Sequence, residues 1–231
     1  MKKNLMSQRP FALQWGVWAT AYLTVALGMT AVSSAATMST VPMTILGQGP
    51  VGDGAVSTII RDDRGVTIAV HTENLDPGPH TVWALVWNSP ENCTSGNGDV
   101  TCIPPPNGSD PPESVMFGAG GIVGASGRGN FGFRINVGDT SDVRAGAVQA
   151  GLTDALGAEI HVIVVDHQEI IPGEIQEQLR NPGDSGCGGP CPVAQVAAHV
   201  PGADDAVGAQ LEAIHALLGR LALRHGLNPG R

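Results

Sequence analysis

The sequence predicts a mainly β protein, an antiparallel β-sandwich with an amphipathic α-helix at its C-terminus. Short apolar runs are separated by turn signals, and turn formers are abundant, with 32 Gly and 17 Pro among 231 residues. Charged residues make up only 14% of the chain, against roughly 25% in an average soluble domain. A helical period occurs only near the end of the sequence. Together these features favour many short strands over long helices.

The first 36 residues are typical of a signal peptide. Lys2, Lys3 and Arg9 form a basic start, an apolar stretch follows from residue 11 to 29, and small residues precede the expected cleavage point. An uncleaved membrane anchor is the alternative, because the apolar stretch is nearly long enough to span a bilayer. We therefore expect a secreted or periplasmic protein with no membrane span after cleavage.

Removal of this segment would make the chain more acidic. Its three cations leave without any acidic residue, which takes the formal net charge from −9 to −12. The remaining chain has no Lys and no basic patch, so it repels a phosphate backbone and nucleic acid is not expected as a partner. The expected partner is an extracellular or envelope ligand.

Five runs predict strands. In residues 66–72 apolar and polar residues alternate, as in a half-buried strand. Residues 81–87 and 159–166 are apolar on both faces, and the apolar side chains of residues 130–137 share one face. Residues 145–152 are a weaker candidate.

Strands that are apolar on both faces require a cover for the outer face of their sheet. The candidate cover is the C-terminal segment, where apolar residues recur at three- and four-residue steps between Asp204 and His225. The predicted organisation is therefore a signal peptide (1–36), a β-sandwich domain (37–200) and a C-terminal helix (201–231). In the alternative, the helix between Asp204 and His225 joins two copies of the chain in a homo-oligomer.

Four cysteines in an exported chain predict two disulfides, because such chains meet oxidising surroundings. The local pairs Cys93–Cys102 and Cys187–Cys191 are favoured, although the spacing alone leaves the crossed pairings open. A zinc site is the functional alternative, but neither spacing is C-x-x-C.

One stretch is similar to the nucleophile motif of chymotrypsin-type serine proteases. Gly183-Asp184-Ser185-Gly186 resembles that motif, and Ala197-Ala198-His199 resembles the histidine motif of the same family. The two motifs occur in reversed order, and Cys187 interrupts the turn that would shape the oxyanion hole. No catalytic residue is therefore assigned.

Three histidines are the candidate metal ligands. His161 and His167 lie on one face of the predicted strand but about 20 Å apart, so a shared ion requires the strand to end between them. His80 joins them only if its strand is a neighbour. A site for one divalent transition metal on His80, His161 and His167 is the alternative to a chain without a cofactor.

A glycosidase is a weaker hypothesis. Carboxylates cluster between residues 159 and 177, and a pair of them is what glycoside hydrolysis requires. The aromatic residues that would hold a sugar are missing, since Trp83 and Trp87 are better placed as buried residues of a central strand.

Several motifs follow one another in a recognisable order. They are Asn88-Ser-Pro-Glu-Asn-Cys93, the strand from Ala158-Glu-Ile-His161 to His167, Ile171-Pro-Gly with Gln178, and the Cys187 turn. Over about residues 65–200 the chain resembles a family of exported, mostly bacterial proteins whose function is unknown. The resemblance implies a secreted β domain and supplies no activity. Where that family continues His-Gly-Pro, this chain has His167-Gln168-Glu169.

The expected function is that of a non-catalytic binding or structural module. No nucleophile–base pair and no firm metal spacing emerge from the residues, which is the reason for this expectation. The alternative is a metal-binding protein or a metal-dependent enzyme. If the strands of His80 and His161 are adjacent, Glu159, His161 and His80 are expected to gather at one end of the sandwich.

Overall fold

The computed structural model describes residues 36–46, 48–96, 100–180, 187 and 190–202. The predicted helix between Asp204 and His225 lies outside these residues, as does nearly all of the predicted signal peptide. Among the described residues, no helix is both long enough and apolar enough to cross a membrane.

The described residues form eleven strands, one short α-helix and one turn of 3₁₀-helix at Pro90–Asn92. The helix α1 covers Ile175–Gln178. The strands are β1 (Thr37–Pro42), β2 (Thr44–Ile45), β3 (Gly49–Pro50), β4 (Val56–Asp62), β5 (Gly65–Thr72), β6 (Gly78–Trp87), β7 (Ser114–Val123), β8 (Gly129–Asn136), β9 (Val143–Ala145), β10 (Glu159–Asp166) and β11 (Val193–His199).

The strands form two antiparallel sheets, so the predicted mainly β class is confirmed. A four-stranded sheet has the order β1-β4-β5-β8, and a seven-stranded sheet has the order β3-β2-β11-β10-β6-β7-β9. The chain passes from the first sheet to the second at Met43, between β1 and β2, and this side chain is fully buried.

One hydrophobic core draws side chains from both sheets. Alternate residues of a strand point to one face, and the inward residues of β5, β6 and β10 are buried together. They are Val66, Ile68 and Val70 of β5, Val82, Ala84 and Val86 of β6, and Ile160, Val162 and Val164 of β10. Burial of each of the Val and Ile side chains contributes about 1.5–3 kcal/mol relative to leaving it exposed.

The core also contains a buried cation and a buried imidazole. Arg61 is fully buried, and its Nη1 donates to the carbonyls of Ala155 at 3.0 Å and Ala158 at 2.8 Å. His199, 1% exposed, places one ring nitrogen 2.8 Å from the Ser39 hydroxyl and the other 2.9 Å from that of Ser57. The polar groups of this imidazole are therefore satisfied inside the core.

The outer face of the seven-stranded sheet is also covered, as the two apolar faces of β6 and β10 predict. A second cluster of buried residues on this face joins Trp83 to Val165 and Cys191. The loop after β6 crosses the same face, and the indole N–H of Trp87 donates to the carbonyl of Asp110 at 3.1 Å. Within the described residues, loops supply this cover.

The predicted strand at 145–152 is wrong. Strand β9 ends at Ala145, and Gly146, Gln149 and Gly151 follow with φ angles of 133°, 60° and 71°. A positive φ is incompatible with an extended strand, so the chain turns here instead.

Seven of the described strands were not predicted from the sequence, namely β1, β2, β3, β4, β7, β9 and β11. The physical reason is clear for β7 and β11. Strand β7 is rich in glycine because other groups approach its backbone closely. A Cβ at Gly118 would lie 2.5 Å from the Phe133 ring, and one at Gly120 would lie 2.2 Å from the carbonyl oxygen of Leu179. Glycine in a strand marks such close approaches. In β11 the small residues Ala194, Ala197 and Ala198 weaken the strand pattern.

Both predicted local disulfides are confirmed. Cys93 pairs with Cys102, and Cys187 pairs with Cys191. The first closes the loop after β6, and the second precedes β11.

Candidate functional site

A pocket of about 430 Å³ opens on the outer face of the seven-stranded sheet. Its floor consists of outward side chains of β6, β10 and β11, and its walls come from β2, the start of β11 and the proline-rich loop after β6. The floor residues are Leu85, His161, Ile163, Val196 and Ala198, and the wall residues are Thr44, Leu46, Val100, Ile103, Pro104, Pro105, Pro106, Asn107 and Val193.

Strand register brings the floor residues together. His161 lies opposite Leu85 on one side and Ala198 on the other. Ile163, two residues further along β10, lies opposite Val196. Because the side-chain period of a strand is two, all of these side chains share the outer face.

The loop over the pocket is held by a buried carboxylate, Asp110. It accepts hydrogen bonds from the hydroxyl and the backbone N–H of Ser95, and from the backbone N–H of Thr94 at 2.9 Å. These hydrogen bonds, the Ser95 hydroxyl first, hold the pKa of Asp110 well below its usual range. With the Cys93–Cys102 disulfide, they tie the described parts of this loop to one another.

Glu159 joins this loop to the sheet. Its side chain is fully buried at the start of β10 and accepts the backbone N–H groups of Thr101 at 3.1 Å and Cys102 at 3.0 Å. Burial raises the pKa of Glu159, but the hydrogen bonds from His161 and the Cys102 amide outweigh burial and leave the pKa below its ordinary value. Glu159 is therefore a carboxylate that accepts every hydrogen bond it makes.

His161 lines the pocket and is hydrogen-bonded to Glu159 through one of its ring nitrogens. Its Nε2 lies 2.7 Å from Oε1 of Glu159, so Nε2 carries the proton that this carboxylate accepts. The ring contacts Trp87, with the ring centroids 4.6 Å apart. Within the described residues Nδ1 makes no hydrogen bond, and in the neutral ring it is an acceptor.

We predict that Glu159→Gln lowers the free energy of unfolding by about 1–3 kcal/mol. The amide replaces one acceptor oxygen by a donor that faces N–H groups, which leaves buried donors unsatisfied. Urea unfolding would measure the change. The control is Glu91→Gln, an exposed carboxylate in the same loop, which should stay within about 0.5 kcal/mol of the unaltered protein. Equal stabilities of the two variants would contradict the role given to Glu159.

The three predicted metal ligands do not lie together. His80 pairs in register with Asp166, at the opposite end of β10 from His161, which is roughly 17 Å away along the strand. Two ligands of one ion lie within about 4.5 Å of each other. Of the predicted group of Glu159, His161 and His80, the structure therefore brings only the first two together.

His80 and His167 occupy opposite faces at their end of the sheet. His80 is fully buried on the core side, donates from Nδ1 to the Gly78 carbonyl at 3.1 Å, and has Nε2 3.7 Å from Oδ1 of Asp166. His167 lies on the outer side, with Nε2 2.8 Å from the Thr81 hydroxyl and Nδ1 3.4 Å from Sγ of Cys191. Because they lie on opposite faces of the sheet, the two imidazoles are not placed to bind the same ion.

His167, Cys187 and Cys191 form a cluster that the sequence analysis did not find. Their donor atoms lie within 4.8 Å of one another. The two sulfurs are joined as a disulfide, and metals bind thiolates rather than disulfides. The sequence could have indicated this cluster, because His167 follows β10 directly and Cys191 precedes β11. These two strands are antiparallel neighbours, so the end of the first lies beside the start of the second.

The protease-like motifs are not assembled into a site by the described residues. His199 lies in the core between Ser39 and Ser57, and Ser185 lies outside the described residues. Comparison of the chain with family models, curated proteins and solved structures gave no significant match. The function therefore has to follow from the geometry of the pocket and its surroundings.

Proposed function

We propose that this chain is an exported, non-catalytic β-sandwich binding module whose pocket holds a small, mainly apolar molecule that carries a hydroxyl group. One observation carries the proposal: an apolar pocket of about 430 Å³ has the imidazole of His161 in its floor. Sites for small molecules have volumes of about 300–1,000 Å³, apolar walls and a few polar groups that orient the ligand.

The chemistry of the lining favours such a ligand over a charged one. Aliphatic and proline side chains supply most of the surface, and no Asp, Glu, Lys or Arg is among the lining residues that the structure describes. Burial of a charge against this surface would cost several kcal/mol. Because Nε2 of His161 donates to Glu159, Nδ1 is left to accept a hydrogen bond from the ligand.

The same geometry favours binding over catalysis. Glu159 and His161 form a carboxylate–imidazole pair, as many enzymes do, but a covalent mechanism also requires a nucleophile. Among the described lining residues Thr44 supplies the hydroxyl side chain, and its hydroxyl donates to the carbonyl of Val196 at 3.0 Å. That hydroxyl is therefore occupied in holding β2 to β11.

Two features support the location and the architecture. Two disulfides are typical of proteins outside the cytoplasm, in agreement with the predicted signal peptide. Two antiparallel sheets that contribute to one core are typical of a β-sandwich. The proposed partner is accordingly a small molecule of the cell envelope or the extracellular medium.

The proposal is tested with naphthol and methoxynaphthalene, which share an apolar body but differ in the hydroxyl. We expect naphthol to bind about tenfold more tightly, because only naphthol donates to Nδ1 of His161. Ala198→Phe should abolish binding of both by filling the pocket from its floor. Isothermal titration calorimetry would measure the affinities.

Two controls make the result specific. Ala69→Phe places the same ring at a half-exposed position of β5, on the other sheet, and should leave binding unchanged. His161→Phe should lower the affinity for naphthol to that for methoxynaphthalene. Binding that survives Ala198→Phe would disprove the pocket, whereas equal affinities of the two compounds in the unaltered protein would disprove the hydroxyl requirement alone.

A further inference from the structure

We propose that the Cys187–Cys191 disulfide is a thiol-exchange site in which Cys187 is the sulfur attacked and Cys191 is the leaving sulfur. The site lies at the end of β10 away from Glu159 and His161 and is independent of the proposed ligand pocket. The chemical class of its reaction partner is a thiol or dithiol.

The two sulfurs have different surroundings. Cys187 is half-buried, and its Sγ lies 3.6 Å from the carbonyl oxygen of Asp166. Cys191 is 9% exposed and packs in the cluster of Trp83 and Val165. An incoming thiolate must approach along the axis of the S–S bond, so the more exposed sulfur is the one it reaches.

A hydrogen-bond chain determines which nitrogen of His167 carries a proton. The indole of Trp83 can only donate, and it donates to the Thr81 hydroxyl oxygen at 2.8 Å. Thr81 is fully buried, and among the described residues the acceptor for its own proton is Nε2 of His167, also at 2.8 Å. In the neutral ring the proton then sits on Nδ1.

This protonated nitrogen points at the leaving sulfur. Nδ1 of His167 lies 3.4 Å from Sγ of Cys191, within the range of a hydrogen bond to sulfur. His167 is itself fully buried, so the donor is fixed before any reaction begins. A disulfide needs no donor at either sulfur, whereas a departing thiolate is stabilised by one.

The exchange proceeds in two steps. A thiolate forms a bond to Sγ of Cys187, the Cys187–Cys191 bond breaks, and its electron pair stays on Cys191 as a thiolate that accepts the proton or the hydrogen bond of His167. A second thiolate then attacks the mixed disulfide and releases Cys187 as a thiolate. Two external thiols are oxidised to one disulfide, and the protein disulfide is reduced to two thiols.

The other disulfide provides an internal comparison. Cys102 is fully buried, and its Sγ lies 3.9 Å from the carbonyl oxygen of Pro90, which is an acceptor and not a donor. Its backbone N–H is held by Glu159. Among the described residues no imidazole reaches the Cys93–Cys102 sulfurs, so this disulfide is a structural link.

The experiment follows the reduction of both disulfides of the full chain by dithiothreitol, with rapid alkylation and mass spectrometry of each cysteine pair. We expect Cys187–Cys191 to open at least about tenfold faster than Cys93–Cys102. His167→Gln keeps an amide near Thr81 but removes the ring nitrogen beside Cys191, and it should slow the opening of Cys187–Cys191 about tenfold. The control His71→Gln alters an exposed histidine on the other sheet and should change neither rate.

Further measurements separate exchange from loss of structure. If His167→Gln only loosens the fold, both disulfides will open faster, and the proposal is overturned. It is also overturned if the variant leaves the rate for Cys187–Cys191 unchanged. With glutathione as reductant and an acid quench, the adduct should be found on Cys187, and an adduct on Cys191 would contradict the assignment of the attacked sulfur.

Discussion

Trp83→Ala is expected to lower the free energy of unfolding by about 3–5 kcal/mol, the usual cost of removing a fully buried tryptophan. Trp83 has no exposed surface and makes an edge contact with Phe117, with the ring centroids 5.2 Å apart. It anchors the buried cluster on the outer face of the seven-stranded sheet. Its loss leaves a cavity and also leaves the Thr81 hydroxyl without its donor.

Guanidinium chloride unfolding measures this change. Trp83→Phe is the matched variant, because it keeps much of the ring and removes the N–H group, and it should lose less stability than Trp83→Ala. A loss below about 1.5 kcal/mol for Trp83→Ala would show that the outer cluster contributes little, contrary to what its burial implies.

The second large expected effect is a loss of folding stability on acidification, and its cause is the protonation of His199 in the unfolded chain. Burial, together with the nearby charge of Arg61, lowers the pKa of His199 from 6.5 to about 3. In the unfolded chain the imidazole gains its proton near pH 6.5, whereas in the folded chain it stays neutral down to about pH 3. The unfolded state then binds the extra proton, so stability falls as the pH falls.

The expected loss is about 2 kcal/mol between pH 7 and pH 5 and about 3 kcal/mol by pH 4. Most carboxylates remain ionised above pH 5 in the folded and unfolded states. Chemical unfolding at a series of pH values, for the unaltered chain and for His199→Asn, isolates the contribution of this group as the difference between the two slopes. A difference near zero between pH 7 and pH 5 would mean that His199 is protonated inside the fold.

The strands that were predictable are those with a strong local pattern. Residues 159–166 are the whole of β10, and residues 66–72 are β5 without its first residue. Strand β6 begins earlier than predicted, at Gly78, because Gly78 and Pro79 already pair with Val123 and Ile122 of β7. Strand β7 was not predicted because its glycines are required by the close approach of Phe133 and Leu179, which are distant in sequence.

The candidate site was only partly predictable for a similar reason. Glu159 and His161 are two residues apart on one strand, so their contact follows from the strand period alone. The separation of His80 from His161 depends on the antiparallel pairing of β6 with β10, which places the start of one strand beside the end of the other. The pocket depends on a loop whose position is fixed by Asp110 and Glu159 through contacts that no local pattern reveals.

The crossing of the chain at Met43 has a consequence for the order of folding. Directly after the crossing, Thr44 of β2 pairs with Val196 of β11, so one of the first strands of the chain meets the last described one. Contacts this distant in sequence form late, because a long loop must close before they do. In a chain that emerges N-terminus first, β2 can pair early with its neighbour β3, but its other edge must stay unpaired until β11 has emerged. During that interval the backbone N–H and C=O groups on this edge of β2 are unpaired. A chaperone that shields them would have its greatest effect on the yield of folded protein before β11 emerges.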